Sequence, residues 1–553
     1  MTQLPLSPRP AATLILVRDG AQGLEVFLMQ RTLKASFMAG AYVFPGGAVD
    51  AADASELWET HDGASNDASI SRTLDVERGG LAYLIAAIRE CFEESGLLLA
   101  RDAQGRTLAL RDAAIVEEFS ALRKKMNAGE VTLADICSAN RLQLTVDELM
   151  YYAHWITPPG SPRRFDTRFF VAVAPPEQTP TPDGTETIDH VWIRPADALE
   201  RRGRGEMIVA FPTGHTLEQL AAFPDTKALM EHGRSGAVLV RAPWPSTGRD
   251  GRKMLLPEDP PYAEARKLDP VGTGNVAAFI TPGEVVQLSN RVRRITAPNP
   301  GFMTGPGTNS YLVGAGGDIA VIDPGPALDA HVQTLIAEGG ARIRWILTTH
   351  THMDHSPAAC LLKALTGAEL LGMPPPDFER QDQSFRPDRI LRHGERIALD
   401  GCTLRVIHTP GHASNHLCYL LEEEQLLFTG DHIMQGSTVV INPPDGDMGV
   451  YLASLRLLQE ENTTWLAPGH GFLMDRPLER IERLLGHRLA RESKVFDALR
   501  QRDAAAIEEL LPLVYDDVPA QRHVMAARSL LAHLLKLRAD GAVAEKDGQW
   551  SLA

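Results

Sequence analysis

Within "TTHTHMDHSPA" (348–358), six positions hold three imidazoles and one carboxylate: His350, His352, Asp354 and His355. A second stretch, "RECFEESG" (89–96), sets Glu90, Glu93 and Glu94 at i, i+3 and i+4. Both patterns suit metal chemistry. Imidazole nitrogen and carboxylate oxygen together favour zinc, with iron and manganese also accepted. An all-oxygen glutamate set favours Mg²⁺ or Mn²⁺. A pair of such cations would lower the pKa of water and polarise a scissile group. A single histidine is ordinarily a packed or surface residue, but that reading fares badly for a cluster this dense. Three glutamates alone would read as a solvated acidic face, so their surroundings must decide.

The elements that would carry these residues can be read from the apolar patterning. "IRWILTT" (343–349) is a buried-type strand, and His350 to His355 form the loop at its C-terminal end. Ser356 and Pro357 offer an N-cap and a first-turn proline for the next helix. Three more strands end alike, "LRVIHTPGH" on His412, "LLFTGD" on Asp431 and "WLAPGH" on His470. Loops at one end of a sheet can converge, so these seven side chains could meet. His393, His408, His416 and His432 read as packing or surface residues. In the helix "LAYLIAAIRECFEES", at about 100° per residue, Leu81, Leu84, Ile85, Ile88 and Phe92 share one face. Glu90, Glu93 and Glu94 share the opposite one, where like charges repel unless a cation joins them.

Earlier in the chain, "AATLILVRDGAQGLEVFLMQR" reads as a hairpin, "FDTRFFVAVAP" and "HVWIRP" as strands, and 113–150 as a charged helical region. Gly, Pro and charge cluster over 241–274, a linker signal. The resulting division is 8–235 with an insertion at 54–80, a linker at 236–283, a metal-site domain at 284–485 and a helical tail at 486–553 ending in a hairpin.

HxHxDH, "TPGH", "TGDHI" and "APGHG", in this order, resemble the metallo-β-lactamase superfamily, and "NSYLVG" followed by "VIDPG" is typical of its glyoxalase II/ribonuclease side. The resemblance implies an αββα sandwich with two metal ions. His350, His352 and His412 would hold one, Asp354, His355 and His470 the other, with Asp431 between them and both aspartates catalytic. Including "LLAHLLKLRADGAV", the chain resembles the β-lactamase-like protein 2 group, which implies a winged-helix-like tail and single-strand endoribonuclease activity. Against RNA, residues 486–553 carry ten Lys/Arg and ten Asp/Glu and only Phe496, Tyr515 and Trp550 as aromatics. Shaping the mouth of the metal site is at least as good a role for that tail.

"FPGG" (44–47) and "RECFEESG" together resemble the Nudix box, which implies an α/β/α fold and hydrolysis of a diphosphate. By that resemblance Glu93 and Glu94 are metal ligands and Glu90 a ligand or base. Arg89 orients the carboxylates, and Gly46 and Gly47 let the backbone approach phosphate. Asp53 stands where the motif has a glutamate, and the spacer to Arg89 is 35 residues (54–88), far longer than usual. "QRTLKASFMAGAYVFPGG", from Arg31 through Gly47, resembles the coenzyme A signature of some Nudix enzymes, with Ser36 replacing an arginine. With "WITPPGSPRRFDTRFF" it places the chain near the Nudix 19-like, CoA-diphosphatase branch. Arg163, Arg164 and Arg168 are candidates for phosphate contacts, and Glu186 for one further acid.

A length of 553 residues suggests three or four domains, and 44% hydrophobic with 23% charged is the composition of an ordinary soluble globular protein; the resemblances make it a multidomain α/β chain. No run suits a membrane span, the start "MTQLPLSPRP" lacks a secretory pattern, and five scattered cysteines read as reduced thiols; a cytoplasmic protein is expected. A net charge of −16 argues against broad nucleic-acid binding and leaves a small anionic metabolite as substrate. Monomer and homo-oligomer stay open. The leading expectation is a two-module hydrolase, Mg²⁺ or Mn²⁺ serving a diphosphate and two Zn²⁺ (or Fe/Mn) serving a thioester or phosphoester. The alternatives are RNA processing and a Nudix module that senses a nucleotide without catalysis.

Overall fold

The computed structural model describes residues 6–34, 38–55, 58, 66–233 and 238–553. Two compact units result, Met1–Trp244 with Val271–Thr273, and Pro245–Pro270 with Gly274–Ala553. No helix among the described residues is long and apolar enough to cross a membrane.

In the first unit the expected hairpin forms as strands Arg9–Gly20 and Gly23–Arg31, antiparallel down to Gly20↔Gly23. Arg9–Gly20 also pairs in parallel with Phe165–Val173, which in turn pairs antiparallel with Met150–Ile156. Thr187–Ile193 adds to the edge of Gly23–Arg31. The result is a mixed eight-stranded sheet.

Helix Gly80–Ser95 packs Ile85, Ile88 and Phe92 against Leu14, Leu16, Phe27 and Met29 of that sheet. It is less amphipathic than expected, because Tyr83, Ala86 and Ala87 are buried as well. Phe119 and Met126 of helix Ala113–Asn127 and Leu133 and Ile136 of helix Leu133–Asn140 complete the same core. Glu90, Glu93 and Glu94 remain as the partly exposed edge.

The insertion caps this helix. The first N–H groups of a helix have no partner within it. Here Asp67, from helix Asp67–Thr73, accepts from the Gly79 and Leu81 amides at 2.9 and 2.8 Å, and Ser71 Oγ accepts from Gly80 at 2.9 Å. Residues 56–57 and 59–65 of the expected insertion, like Ser36, lie outside the described residues.

The second unit contains two sheets face to face. One has seven strands, from Val285–Gln287 through Ile343–Leu347 to Arg389–Ile390; the other has six, from Arg396–Leu399 to Met474–Asp475. Tyr311, Val313, Ile322 and Leu347 of the first interleave with Leu404, Val406, Tyr419 and Phe428 of the second. The outer faces are apolar too. Leu312, Val321 and Ile346 pack on helices Asp329–Gly339 and Ala358–Thr366. Ile407, Leu420 and Leu427 pack under helices Met448–Gln459 and Pro477–Arg500. Strands buried on both faces explain the near-continuous apolar runs in the sequence, and the layers are αββα.

The tail packs the end of helix Pro477–Arg500, helices Ile507–Val514 and His523–Ala539, and the hairpin Val543–Lys546/Gln549–Leu552 around Leu499, Leu510, Leu534 and Trp550. Ala532 of helix His523–Ala539 reaches the core under the second sheet.

Part of the stretch read as linker is built into this unit. Strands Trp244–Gly248 and Gly251–Leu255 and helix Tyr262–Leu268 form within it. Glu264 on that helix is 3% exposed, pairs both oxygens with Arg294 at 2.6 and 2.9 Å, and accepts from the Leu473 amide at 2.8 Å. Removing one member of a buried pair strands the other charge. Glu264→Ala is therefore expected to destabilise this unit by about 3–5 kcal/mol, read from urea or thermal unfolding. A loss under about 1 kcal/mol would mean that the pair is not held out of water.

Candidate metal centres

Each of the four strands Ile343–Leu347, Cys402–His408, Leu426–Gly430 and Trp465–Pro468 hands its loop to one place. His350 Nε2 lies 2.9 Å from His352 Nδ1, which lies 3.1 Å from His412 Nε2. Nearby, Asp354 Oδ2 is 3.4 Å from both His355 Nε2 and His470 Nε2. Asp431 stands between the two groups. Its Oδ1 is 3.5 Å from His355 Nε2 and 3.3 Å from His470 Nε2, while its Oδ2 is 3.9 Å from His412 Nε2. All seven predicted side chains are thus brought together. His393, His408, His416 and His432 belong to none of the tight ligand groups among the described residues.

The donor set fits cations. His355 Nε2 and Asp431 Oδ1 are buried with no hydrogen-bond partner, and several lone-pair-bearing nitrogens point at common centres. The other ring nitrogens are held from behind. His350 Nδ1 is 3.0 Å from Thr349 Oγ1, His355 Nδ1 is 2.9 Å from Asp323, His412 Nδ1 donates to the Val440 carbonyl at 2.9 Å, and His470 Nδ1 to Gly307 at 3.1 Å. Such outer partners fix ring orientation and tautomer.

Burial, then neighbouring imidazoles, press His350 well below its ordinary pKa and His352 down to about 3. Burial opposes charge on His355 and His470 as well. Asp354, Asp323 and Asp431 nevertheless raise His355, and Asp431 above all raises His470, to about 9. One group is built of imidazoles alone and the other is balanced by carboxylates.

Two glycines explain the "PGH" repeats. A Cβ on Gly469 would sit 2.6 Å from Asp431 Oδ1, and Gly411, at φ +138, abuts the Tyr451 backbone. The expected Ser356 cap does not form. The helix starts after Pro357, and the buried Ser356 hydroxyl donates to Asp382 at 2.8 Å.

In the first unit the carboxylates gather around Arg89. Its guanidinium holds Asp53 through two bonds of 2.8 and 2.9 Å and reaches Glu90 at 3.0 Å and Glu93 at 2.9 Å. Asp53, 2% exposed, is therefore the partner that seats Arg89. Glu94 accepts from the Gly46 amide at 3.2 Å. Burial, with Glu90 and then Glu186 adding to it, raises Glu94 well above the carboxylate range, while Arg31 opposes. Burial also lifts Glu90 to about 7. Buried carboxylates whose charged forms lack enough counter-charge from Arg89 and Arg31 suit a divalent cation, although the three glutamates do not converge as tightly as the histidine groups among the described residues.

Gly46 and Gly47 are needed for a local reason as well. They pair with Thr13 and Ala12, and side chains there would collide with that strand and with the Glu90 carboxylate. Arg168 is 3% exposed and tied to Leu74 O and Asp166, and Arg164 is tied to the carbonyls of Thr157 and Leu6. Neither is available to phosphate.

Residues 303–470 match the metallo-beta-lactamase superfamily, 66–220 the NUDT19 Nudix domain and 506–550 the beta-lactamase associated winged helix domain. A beta-lactamase-like protein 2 homolog from Caenorhabditis elegans is 31% identical over 266 residues, 47% of this chain and 88% of the relative. The chain belongs to the metallo-β-lactamase superfamily. An atrochrysone carboxyl ACP thioesterase from Aspergillus chevalieri is 33% identical, over 47% of this chain and 85% of that protein. Among solved structures, a metallo-beta-lactamase family protein from Thermus thermophilus is 22% identical with a TM-score of 0.42, covering 48% of this chain and all of its own. A NUDIX hydrolase from Alicyclobacillus acidocaldarius is 32% identical with a TM-score of 0.34, covering 41% of this chain and 96% of its own. This metallo-β-lactamase-fold protein is a hydrolase that carries a Nudix domain before that fold and a winged helix after it, as expected from the sequence.

A cavity of about 830 Å³ opens over the metallo-β-lactamase centre, with His352, Asp354, His412, Asp431 and His470 in its wall. Met525 and Arg528 of the winged helix line it too, so the tail does shape the mouth. Sequence reasoning missed Asp323, Gly307 and Val440 as supports of the ligand histidines. Asp323 stands within "VIDPG", a signature whose likeness to the superfamily gives no sign of which histidine it supports.

Proposed function

We propose that the metallo-β-lactamase domain hydrolyses a thioester and the Nudix domain a diphosphate linkage, with CoA and acyl-CoA as small anionic molecules that offer these bonds. The observation that carries this is Asp431 facing both ligand groups, Oδ1 towards His355 and His470 and Oδ2 towards His412. In this reading His350, His352 and His412 hold one cation, Asp354, His355 and His470 a second, and Asp431 bridges, with zinc favoured over iron or manganese. Glu90, Glu93 and Glu94 hold Mg²⁺ or Mn²⁺, and Glu90 is the base candidate. Bound there, such ions supply Lewis-acid polarisation and acidified water.

The chain's own groups do the rest. Asp354, with 28% of its side chain exposed and accepting from Thr308 Oγ1 at 3.4 Å, is placed as a carboxylate to take a proton from the attacking water and hand it on to the departing thiolate. Arg89, anchored on Asp53, aligns Glu90 and Glu93. Gly46 and Gly47, with Arg31, form the phosphate side. The relative named as a carrier-protein thioesterase favours a thioester over a phosphoester. The balanced charge of the tail weighs against RNA. The five cysteines form no disulfide among the described residues, which suits a reducing compartment such as the cytoplasm.

The test is one panel on the full-length protein: octanoyl-CoA, CoA, a β-lactam reporter and single-stranded RNA, with zinc or Mg²⁺ supplied. Thioester cleavage with zinc and diphosphate cleavage with Mg²⁺ are expected. Cleavage of RNA alone would replace this reading with an endoribonuclease.

A further inference from the structure

The cavity over the metallo-β-lactamase centre carries two arginines that the hydrolytic site does not use. Arg380 lies in the loop after Phe378, and Arg528 lies on winged-helix helix His523–Ala539. Neither guanidinium makes a hydrogen bond, ion pair or ring stack among the described residues. That sets them apart from Arg89, Arg294, Arg405 and Arg491 of the same chain, all paired with carboxylates. Apart from the candidate ligands, the acids on that wall are Glu379 and Asp445, and Asp445 is already engaged by Gln381 Nε2 at 2.8 Å and the Ser414 amide at 3.0 Å.

Both arginines stand on anchored backbone. Gln381 and Asp382, next to Arg380, bind the ligand loop: Thr351 Oγ1 donates to Gln381 Oε1 and the Asp382 amide to Thr351 O, each at 2.6 Å. Arg380 itself sits at φ +71, a left-handed conformation that a non-glycine residue adopts only when its surroundings impose it. The helix of Arg528 is held by Lys536 on Glu492 at 2.7 Å and by Ala532 in the core below the second sheet. Beside the two charges stand Met303 and Met353, 51% and 55% exposed, and Met525. Adaptable methionine surface beside free guanidinium forks suits a ligand that is apolar at one end and anionic at the other.

We infer that Arg380 and Arg528 form an anion clamp for the thiol arm of the thioester, while the methionines take its acyl chain. The inference rests on the thioesterase reading of this site. The winged helix is then a specificity element of the metal domain, and a neutral thioester lacks half of its handle.

The experiment compares kcat/KM of the full-length protein for octanoyl-CoA, S-octanoyl-glutathione and S-octanoyl-N-acetylcysteamine, which carry phosphates, carboxylates and no charge on the thiol arm. Arg380→Ala and Arg528→Ala should each lower the CoA-to-neutral ratio on the order of tenfold, with Arg528→Lys recovering part of it. A fall confined to the CoA thioester identifies a phosphate clamp, and a fall shared by glutathione a general anion clamp. Wild type active on all three, with ratios unmoved in every variant, overturns the clamp and leaves thioester hydrolysis standing. Wild type inert on all three overturns the thioester reading and the clamp together. Arg380, on a loop remote in sequence from the winged helix, separates loss of charge from unseating of the tail.

Discussion

Asp431→Ala is expected to lower kcat/KM for thioester hydrolysis on the order of a thousandfold and to deplete bound metal. Among the described residues Asp431 is the carboxylate whose two oxygens face different ligand groups, at 3.3 and 3.5 Å on one side and 3.9 Å on the other. No neighbour can replace it. Asp354 is engaged with His355 and His470, and Asp323 lies behind His355 with its oxygens committed to His355, the Thr349 amide and the Thr349 hydroxyl. Truncation would remove the carboxylate that faces both ligand groups and leave His355 and His470 short of counter-charge. Losing about 4 kcal/mol of transition-state stabilisation gives that thousandfold. The check is elemental analysis of gel-filtered protein beside steady-state kinetics, with circular dichroism to confirm folding. Near-wild-type turnover with a full metal complement in this variant would remove the basis of the assignment.

The candidate ligands could be picked out in the sequence because each lies at or just after the end of an apolar strand and three follow glycines that the packing demands, Gly411, Gly430 and Gly469. The strands of the second unit were readable as segments for the same reason, since runs buried on both faces leave little choice of element; the hairpin of the first unit was readable from its glycine-containing turn, and the αββα layers only through the family resemblance. What stayed hidden depends on pairings distant in sequence. Asp323 meets His355 across 32 positions, and Asp67 caps the Leu81 amide across 14. Glu264, in a stretch whose glycines and prolines read as linker, meets Arg294 30 positions on, beyond that stretch. Helical periodicity in "HVMAARSLLAHLLKLRA" identifies a packed helix, yet it does not say which neighbour the Arg528 side faces. The glutamate helix misled in part, since alanines and Tyr83 on its supposed edge are buried under helices whose docking no local pattern announces.

Glu93→Gln is expected to lower Mg²⁺-dependent diphosphate hydrolysis to about a few percent of the wild-type rate while thioester hydrolysis by the same preparation persists. Glu93 is suited to the test because the substitution changes charge with little change of structure. Its Oε2 accepts from Arg89 Nη1 at 2.9 Å, a bond the glutamine carbonyl can keep. Arg89 remains seated on Asp53 through its two bonds and on Ala48 O at 2.8 Å. Helix Gly80–Ser95 keeps its cap from Asp67 and Ser71. What is lost is one formal charge from a group of carboxylates whose mutual repulsion a divalent cation would relieve, so metal affinity and turnover should fall together. Raising Mg²⁺ or substituting Mn²⁺ should recover part of the rate if the defect is in holding the ion. Retention of full diphosphatase activity would remove Glu93 from the metal site, absence of that activity in the wild type would make the Nudix domain a nucleotide-sensing module, and loss of both activities at once would show that the two hydrolytic sites do not work independently.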